Sequence, residues 1–229
     1  MILRKEREIA ERWDGIAICS DDDKALLTAK FPDAAIWKVP NVVDKPLLPQ
    51  RSGAGYNILF VGNLSFGPNS HGLATFLAQA WPTVRDALPG ARLKVVGMNP
   101  SADLHAKLRA ADAELHANVP SVTPYYADCD IVIAPIFFGS GTRIKILEAM
   151  AFGRPVLSTS LGAEGLGVQD GVHAAIADSM PDFATALIDL ADNPEKRTAL
   201  AEAGRCLQQE YFGPMSMIRA VNNMTDTCS

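Results

Sequence analysis

The densest chemistry in the chain runs from Gly139 through Ser140, Gly141, Thr142, Arg143 and Lys145 to Glu148. Two glycines alternating with two hydroxyl residues make a flexible turn, and strong helix formers follow it. A helix that starts there leaves its first backbone N–H groups without partners in the helix, and its dipole favours negative charge beside them. With Arg143 and Lys145 next to those groups, the arrangement suits an anion, most often a phosphate, and an arginine fork matches phosphate well. Glu148 follows in an otherwise apolar context, where a carboxylate needs hydrogen-bond donors to offset its desolvation. Lys145, three residues earlier on the same helix face, is one candidate partner, and a bound ligand is the other. Lys145 has a plainer alternative, which is to point into solvent.

The elements that must hold these residues can be read on either side. Asp130 to Pro135 is a short apolar run, consistent with a strand buried on both faces. Arg143 to Phe152 reads as a helix; Gly153 sits where a C-cap glycine belongs, Pro155 stops further helix, and Val156 to Thr159 is the next strand. Earlier strands are expected at 16–19, 36–39, 57–62, 92–97 and 113–116, and a later one at 174–177. Helices are expected at 3–12, 21–30 (capped by Ser20), 70–88 with a kink at Pro82, 101–111, around Tyr125 and Tyr126, 181–192 and 195–210. Strands alternating with helices of this length specify an α/β fold: a doubly wound, Rossmann-like parallel sheet of about six strands covered on both faces. Ligands of such sheets bind outside the carboxyl ends of the strands. The loops at 62–70, 116–121 and 136–142 should meet there, with the turn Gly162-Ala163-Glu164-Gly165 beside them.

Leu147-Glu148-Ala149-Met150-Ala151, followed by Gly153-Arg154-Pro155-Val156, resembles the most recognisable run of the glycosyl transferases group 1, or family 4-like, proteins. These are retaining glycosyltransferases of two Rossmann-like domains (the GT-B architecture), and the run belongs to their C-terminal, nucleotide-sugar-binding domain. In that family two glutamates separated by seven residues touch the donor; the second corresponds to Glu148 and the first falls on Ser140, where this chain departs from the pattern. The resemblance implies that Glu148 accepts from the two vicinal ribose hydroxyls. It implies a diphosphate near Arg143 and Lys145, since the first-loop arginine and lysine of many relatives fall on Asn63 and His71 here. Ser140 can exchange hydrogen bonds with a sugar but brings no charge, so the backbone of Ser140, Gly141 and Thr142 is the alternative sugar contact. Asn118, Val119 and Pro120 match the loop that brackets the nucleobase, largely through backbone groups, which leaves the base unreadable.

Pro40-Asn41-Val42-Val43-Asp44 is similar to the family's interdomain crossing, usually Pro-Asn-Gly-Val-Asp. On that basis residues 1–44 are expected to be the remnant of an N-terminal Rossmann-like domain, 45–56 a linker, 57–212 the nucleotide-sugar-binding domain and 213–229 a C-terminal tail. The missing N-terminal domain would pack on 1–44 and on the tail. The implied activity is retaining, metal-independent transfer of a sugar from a nucleoside diphosphate sugar to an acceptor. This chain would supply the donor-binding half, use no cofactor beyond its donor substrate, and alone catalyse little or no transfer. A sugar-nucleotide epimerase of the same architecture and a non-catalytic nucleotide-binding module are the alternatives. A dehydrogenase is disfavoured because no G-x-G-x-x-G fingerprint follows the first strand of the domain.

Composition bounds the rest. A net charge of −5, from 21 basic and 26 acidic residues, argues against nucleic acid as a partner. Cys19, Cys129, Cys206 and Cys228 are far apart and read as reduced thiols, neither a zinc site nor a disulfide frame. His71, His105, His116 and His173 show no ligand spacing. Asp128-Cys129-Asp130 matches the D-x-D spelling that the other major glycosyltransferase architecture uses for manganese, but it opens a buried strand, so no metal site is assigned. No apolar run reaches membrane-spanning length and no signal peptide follows Met1. The expected location is the cytoplasm, compatible with a peripheral contact at the inner face of a membrane.

Overall fold

The computed structural model describes residues 15–49, 51, 56–139, 141 and 143–227. The expected helix at 3–12 therefore lies outside the described residues, as do Ser140 and Thr142. The chain divides into two compact units: one comprises the residues before Lys45 together with those from Gln209 on, and the other is Lys45–Gln208.

The smaller unit begins with β1 (Ile16–Ile18), α1 (Asp21–Lys30) and β2 (Ile36–Lys38), with β1 and β2 paired in parallel so that Ile16 faces Ile36. Ser20 caps α1 through its side chain, which accepts from Asp23 N at 3.1 Å, as its position before three acids suggested. Residues 213–229, expected as a C-terminal tail, contain α10 (Pro214–Thr227). Pro214 takes the first helical position, where a missing N–H costs nothing. Val43 N donates to Phe212 O at 2.9 Å, tying the end of this unit's first segment to its second.

The larger unit is a six-stranded parallel sheet. Its strands are β3 (Tyr56–Asn63), β4 (Ala91–Met98), β5 (Glu114–Ala117), β6 (Ile131–Ala134), β7 (Val156–Ser158) and β8 (Ala175–Ile176). Their spatial order is β5-β4-β3-β6-β7-β8. The chain lays β4 and β5 to one side of β3, then crosses and lays β6, β7 and β8 on the other. This puts a topological switch point between β3 and β6, where an open α/β sheet offers its crevice.

Period-two alternation decides which side chain meets which layer. Ile58 and Phe60 join one continuous core with Leu93, Val95, Ile131 and Ile133, while Leu59 and Val61 are buried on the opposite face. The first face is covered by α2 (Gly67–Gln79), α3 (Trp81–Ala87), α4 (Ala102–Ala110) and α8 (Met180–Asp192). There the Phe76 ring lies 6.1 Å from Trp81 and 5.8 Å, edge-on, from Phe183. The remaining helices are α5 (Thr123–Ala127), α6 (Ile144–Ala151), α7 (Ser160–Ala163) and α9 (Pro194–Phe212).

The single kinked helix expected at 70–88 is two helices that break at Ala80. Pro82 has no N–H to offer Ala78 O and its ring crowds that carbonyl, so the first ladder ends and a second begins. The first helix also starts earlier than expected, at Gly67, with Pro68 set in its first turn. No helix among the described residues is long and apolar enough to cross a membrane.

Candidate functional site

At the switch point a hollow of about 400 Å³ opens in front of β3 and β6. Gly62, Asn63 and Asn69 form one side of it, and Arg143, Lys145 and Glu148 the other. A wider hollow of about 890 Å³ lies between α2, α3 and α4, around Trp81, Arg85 and Lys107, and takes in none of the residues singled out from the sequence.

The second wall exists because α6 buries only part of its circumference. Ile146, Leu147, Ala149, Met150 and Ala151 are buried, which leaves Lys145 and Glu148, one turn apart, on the side that meets the hollow. The far end of α6 is fixed by Gly153 at φ +72, with Gly153 N donating to Met150 O at 2.9 Å and Arg154 N to Ala149 O at 2.8 Å. That pair of bonds is a Schellman stop, and the left-handed residue it needs is the glycine read from the sequence.

Arg143 precedes the first helical residue of α6 and is only 7% exposed. Its Nη2 donates to Gly139 O at 2.7 Å, so the guanidinium braces the turn that leads into the helix. Burial lowers its pKa, and the opposing pull of Glu164 marks the turn after α7 as its electrostatic neighbour.

Lys145 does not pair with Glu148. Its Nζ donates to Asn69 Oδ1 at 2.5 Å and stands 4.7 Å from the centre of the Phe60 ring. Burial and the neighbouring Arg143 charge bring its pKa down to about 7. The approach depends on Gly62: a Cβ there would lie 2.9 Å from Asn69 Nδ2 and 3.1 Å from Lys145 Nζ. Glu148 instead has Lys45 as its ion-pair partner, Nζ to Oε1 3.8 Å. Burial raises the Glu148 carboxyl and Lys45 pulls it back.

Asn63 lies on the rim, with its Oδ1 accepting from Ser65 N at 3.0 Å and Ser65 Oγ at 2.8 Å, while its main-chain O accepts from Asn69 Nδ2 at 2.9 Å. Gly141 also borders the hollow, at φ +99. Val119 does not: it sits in the loop after β5, two strands from β3, where Asn118 adopts φ +54 and donates from N to Gly97 O at 3.0 Å.

Asp128 and Asp130 have structural partners. Asp130 Oδ2 accepts from Asn57 N at 2.8 Å and pairs with Arg51 Nη2 at 2.8 Å, and Asp128 pairs with Lys94. Among the described residues no group of three or more His, Cys, Asp or Glu side chains is arranged to hold a metal ion.

Two participants had no signal in the sequence. Lys45 lies about a hundred residues from its partner in a stretch of linker composition. Asn69 is a buried polar residue in the first turn after Pro68, and only its burial distinguishes it from a solvated loop amide.

Residues 55–193 match the model of the family described as glycosyl transferases group 1. The chain belongs to that family. The match covers β3 through α8 and so includes the whole hollow. A mannosyltransferase of Mycolicibacterium smegmatis acting on phosphatidyl-myo-inositol, by its name, is 27% identical over 198 residues, 83% of this chain and 48% of that protein. An uncharacterized 44.6 kDa protein of the cps region of Klebsiella pneumoniae is 31% identical over 166 residues, 68% of this chain and 42% of that one. This group 1 chain thus spans about half the length of the curated relatives it matches. Among solved structures, Anabaena Alr3699/HepE in complex with UDP and glucose superposes with a TM-score of 0.78 at 17% identity, covering 98% of this chain and 66% of that one. At that identity the likeness speaks for the GT-B fold alone.

Proposed function

We propose that this chain is the donor-binding half of a retaining, metal-independent glycosyltransferase. The observation that carries the reading is the hollow at the switch point, walled by two basic side chains, Arg143 and Lys145, and by the Glu148 carboxylate one turn further along α6. A nucleoside diphosphate sugar presents matching chemistry: a dianionic diphosphate for the basic side chains, and two vicinal ribose hydroxyls for one carboxylate. Gly141 would face the donor sugar, Asn63 would border the phosphates, and Val119 would contact the base through backbone groups. A relative whose name is that of a mannosyltransferase and a fold neighbour that binds UDP and glucose support the same reading.

The chemistry follows from the charges. Breaking the bond between the anomeric carbon and the diphosphate oxygen concentrates negative charge on the leaving group, and Arg143 and Lys145 lie where they stabilise it without a metal. The D-x-D carboxylates, occupied by Arg51, Asn57 and Lys94, are left out of this scheme. The donor sugar serves as substrate, and no cofactor enters.

Calorimetric titration with UDP, GDP, ADP and their sugars tests the reading. One diphosphate should bind, and its nucleoside far more weakly. Equal affinity for nucleoside and diphosphate, or no binding at all, would contradict it. C2 epimerisation of the bound nucleotide sugar would point to an epimerase instead.

A further inference from the structure

We propose that donor binding in this hollow is proton-linked through Lys145, with Asn69 as the residue that positions it, so that a diphosphate entering above neutral pH brings one proton with it. The inference rests on the reading of the hollow as a diphosphate site.

The geometry makes Lys145 unlike a surface lysine. Its ammonium is drawn under the carboxyl edge of β3, between Asn69 Oδ1 at 2.5 Å and the face of Phe60 at 4.7 Å. The Asn69 amide has little choice of orientation, because its Nδ2 already donates to Asn63 O at 2.9 Å, which leaves the oxygen for Lys145. A neutral amide oxygen and an aromatic face hold an ammonium, but neither supplies the full charge that would keep it protonated in a buried place.

The titratable and charged groups around it are few. Arg143 and Glu148 stand on its own segment, and Arg143 opposes its charge. Tyr126 on α5 places its hydroxyl 3.4 Å from the Lys145 main-chain oxygen. Beyond Arg143 stands Glu164. From β3 it meets Phe60 and Gly62, which do not titrate, and α2 offers Asn69, since His71 on that helix turns to Phe138. With burial bringing Lys145 to about 7, the free site near neutrality holds a mixture of amine and ammonium. A diphosphate stabilises the ammonium, so its pKa must be higher in the complex. Below pH 7 the charge is already present and affinity is full. As pH rises through 7, binding must recruit the proton, and affinity falls about tenfold per pH unit until the pKa of the complex is reached.

The test uses diphosphate diesters, which carry no phosphate group of their own titrating near neutrality: UDP-glucose, GDP-mannose and ADP-glucose, taking whichever binds most tightly. Affinity is measured from pH 6 to 9, and proton uptake at pH 8 by calorimetry in two buffers of different ionisation enthalpy. The intact chain should lose affinity above pH 7 and take up close to one proton per ligand. Lys145→Arg, always charged, should show a flat profile and no uptake. Asn69→Asp should weaken binding at pH 6 but move the fall in affinity to higher pH by a unit or more, a shift that a merely structural role would not produce. Binding with a flat profile and no proton uptake in the unaltered chain overturns this inference alone. No binding of any of the three at any pH overturns both this inference and the reading it rests on.

Discussion

Arg154→Met isolates what the Gly153-Arg154-Pro155-Val156 run does for the fold, apart from any role in binding. Arg154 is fully buried just beyond the C-terminal end of α6. Its Nε donates to Tyr126 O at 2.6 Å and its Nη2 to Pro49 O at 2.7 Å, so one guanidinium joins the end of α5, the strand entering β7 and the segment after Lys45. Methionine fills much of the volume and leaves both carbonyls without that donor. The buried Tyr126 O, left with only the Cys129 Sγ–H contact at 3.4 Å, accounts for about 1–3 kcal/mol, and the oxygen of the exposed Pro49, which water can reach, adds less. Burial already penalises the charge, as the lowered pKa of Arg154 shows, and removing it returns part of that penalty. A net loss of about 1–3 kcal/mol follows, or roughly 2–12 °C in Tm for a unit of this size. Scanning calorimetry reads the shift directly. Arg154→Lys, which keeps one ammonium but not the fork, should fall between the two. Nucleotide affinity measured well below the transition should be unchanged. A Tm within 2 °C of the parent would refute the idea that this arginine clamps three segments together.

Gly62→Ala should act on the site more than on the fold. Its Cβ would press on Asn69 and the tip of Lys145 at 2.9 and 3.1 Å, and the flexible lysine end gives way more easily than backbone. A stability loss of about 1–3 kcal/mol is expected, with diphosphate affinity falling at least tenfold and nucleoside affinity little changed; calorimetry compares the two ligands. EDTA should leave diphosphate affinity unaltered. Asp130→Asn should instead lower Tm without moving affinity, because its carboxylate serves Arg51 and the Asn57 N–H. A metal-dependent affinity abolished by Asp130→Asn would reverse that assignment.

The features legible in the sequence were those set by neighbours in the chain. The helix after the glycine turn, its stop at Gly153, the Ser20 cap and the short buried strand at Ile131–Ala134 each depend on a few consecutive residues. Once strands and helices alternate in this way, a parallel sheet is the economical outcome. The spacing of Lys145 and Glu148 placed both on one face of α6, and both border the hollow. Their partners were beyond reach, because Asn69 and Lys45 are brought in only by the β3–β6 crossing and by the segment entering the sheet. An i, i+3 pair was the local solution for Lys145, and the tertiary structure offered a nearer acceptor in Asn69. The division of the 70–88 helix turned on whether Pro82 bends a ladder or ends it, which local propensity does not decide. Helix α10 is harder to read because residues 213–229 mix apolar Met215, Met217, Ile218 and Val221 with asparagines and threonines, although Met215, Ile218 and Val221 recur at helical spacing.

In the proposed complex, Glu148 meets the ribose of a nucleotide whose diphosphate lies against Arg143 and Lys145. A thermodynamic cycle tests it most directly: binding of the preferred nucleoside diphosphate and of its 2′,3′-dideoxy form, each to the parent chain and to Glu148→Gln. A charge-assisted hydrogen bond of this kind contributes about 1.5–3 kcal/mol, or roughly ten- to a hundredfold in affinity. The substitution should therefore weaken the ribonucleotide by that factor and leave the dideoxy form nearly untouched. Equal losses for both nucleotides would mean that Glu148 acts through Lys45 and the fold, and that the ribose lies elsewhere.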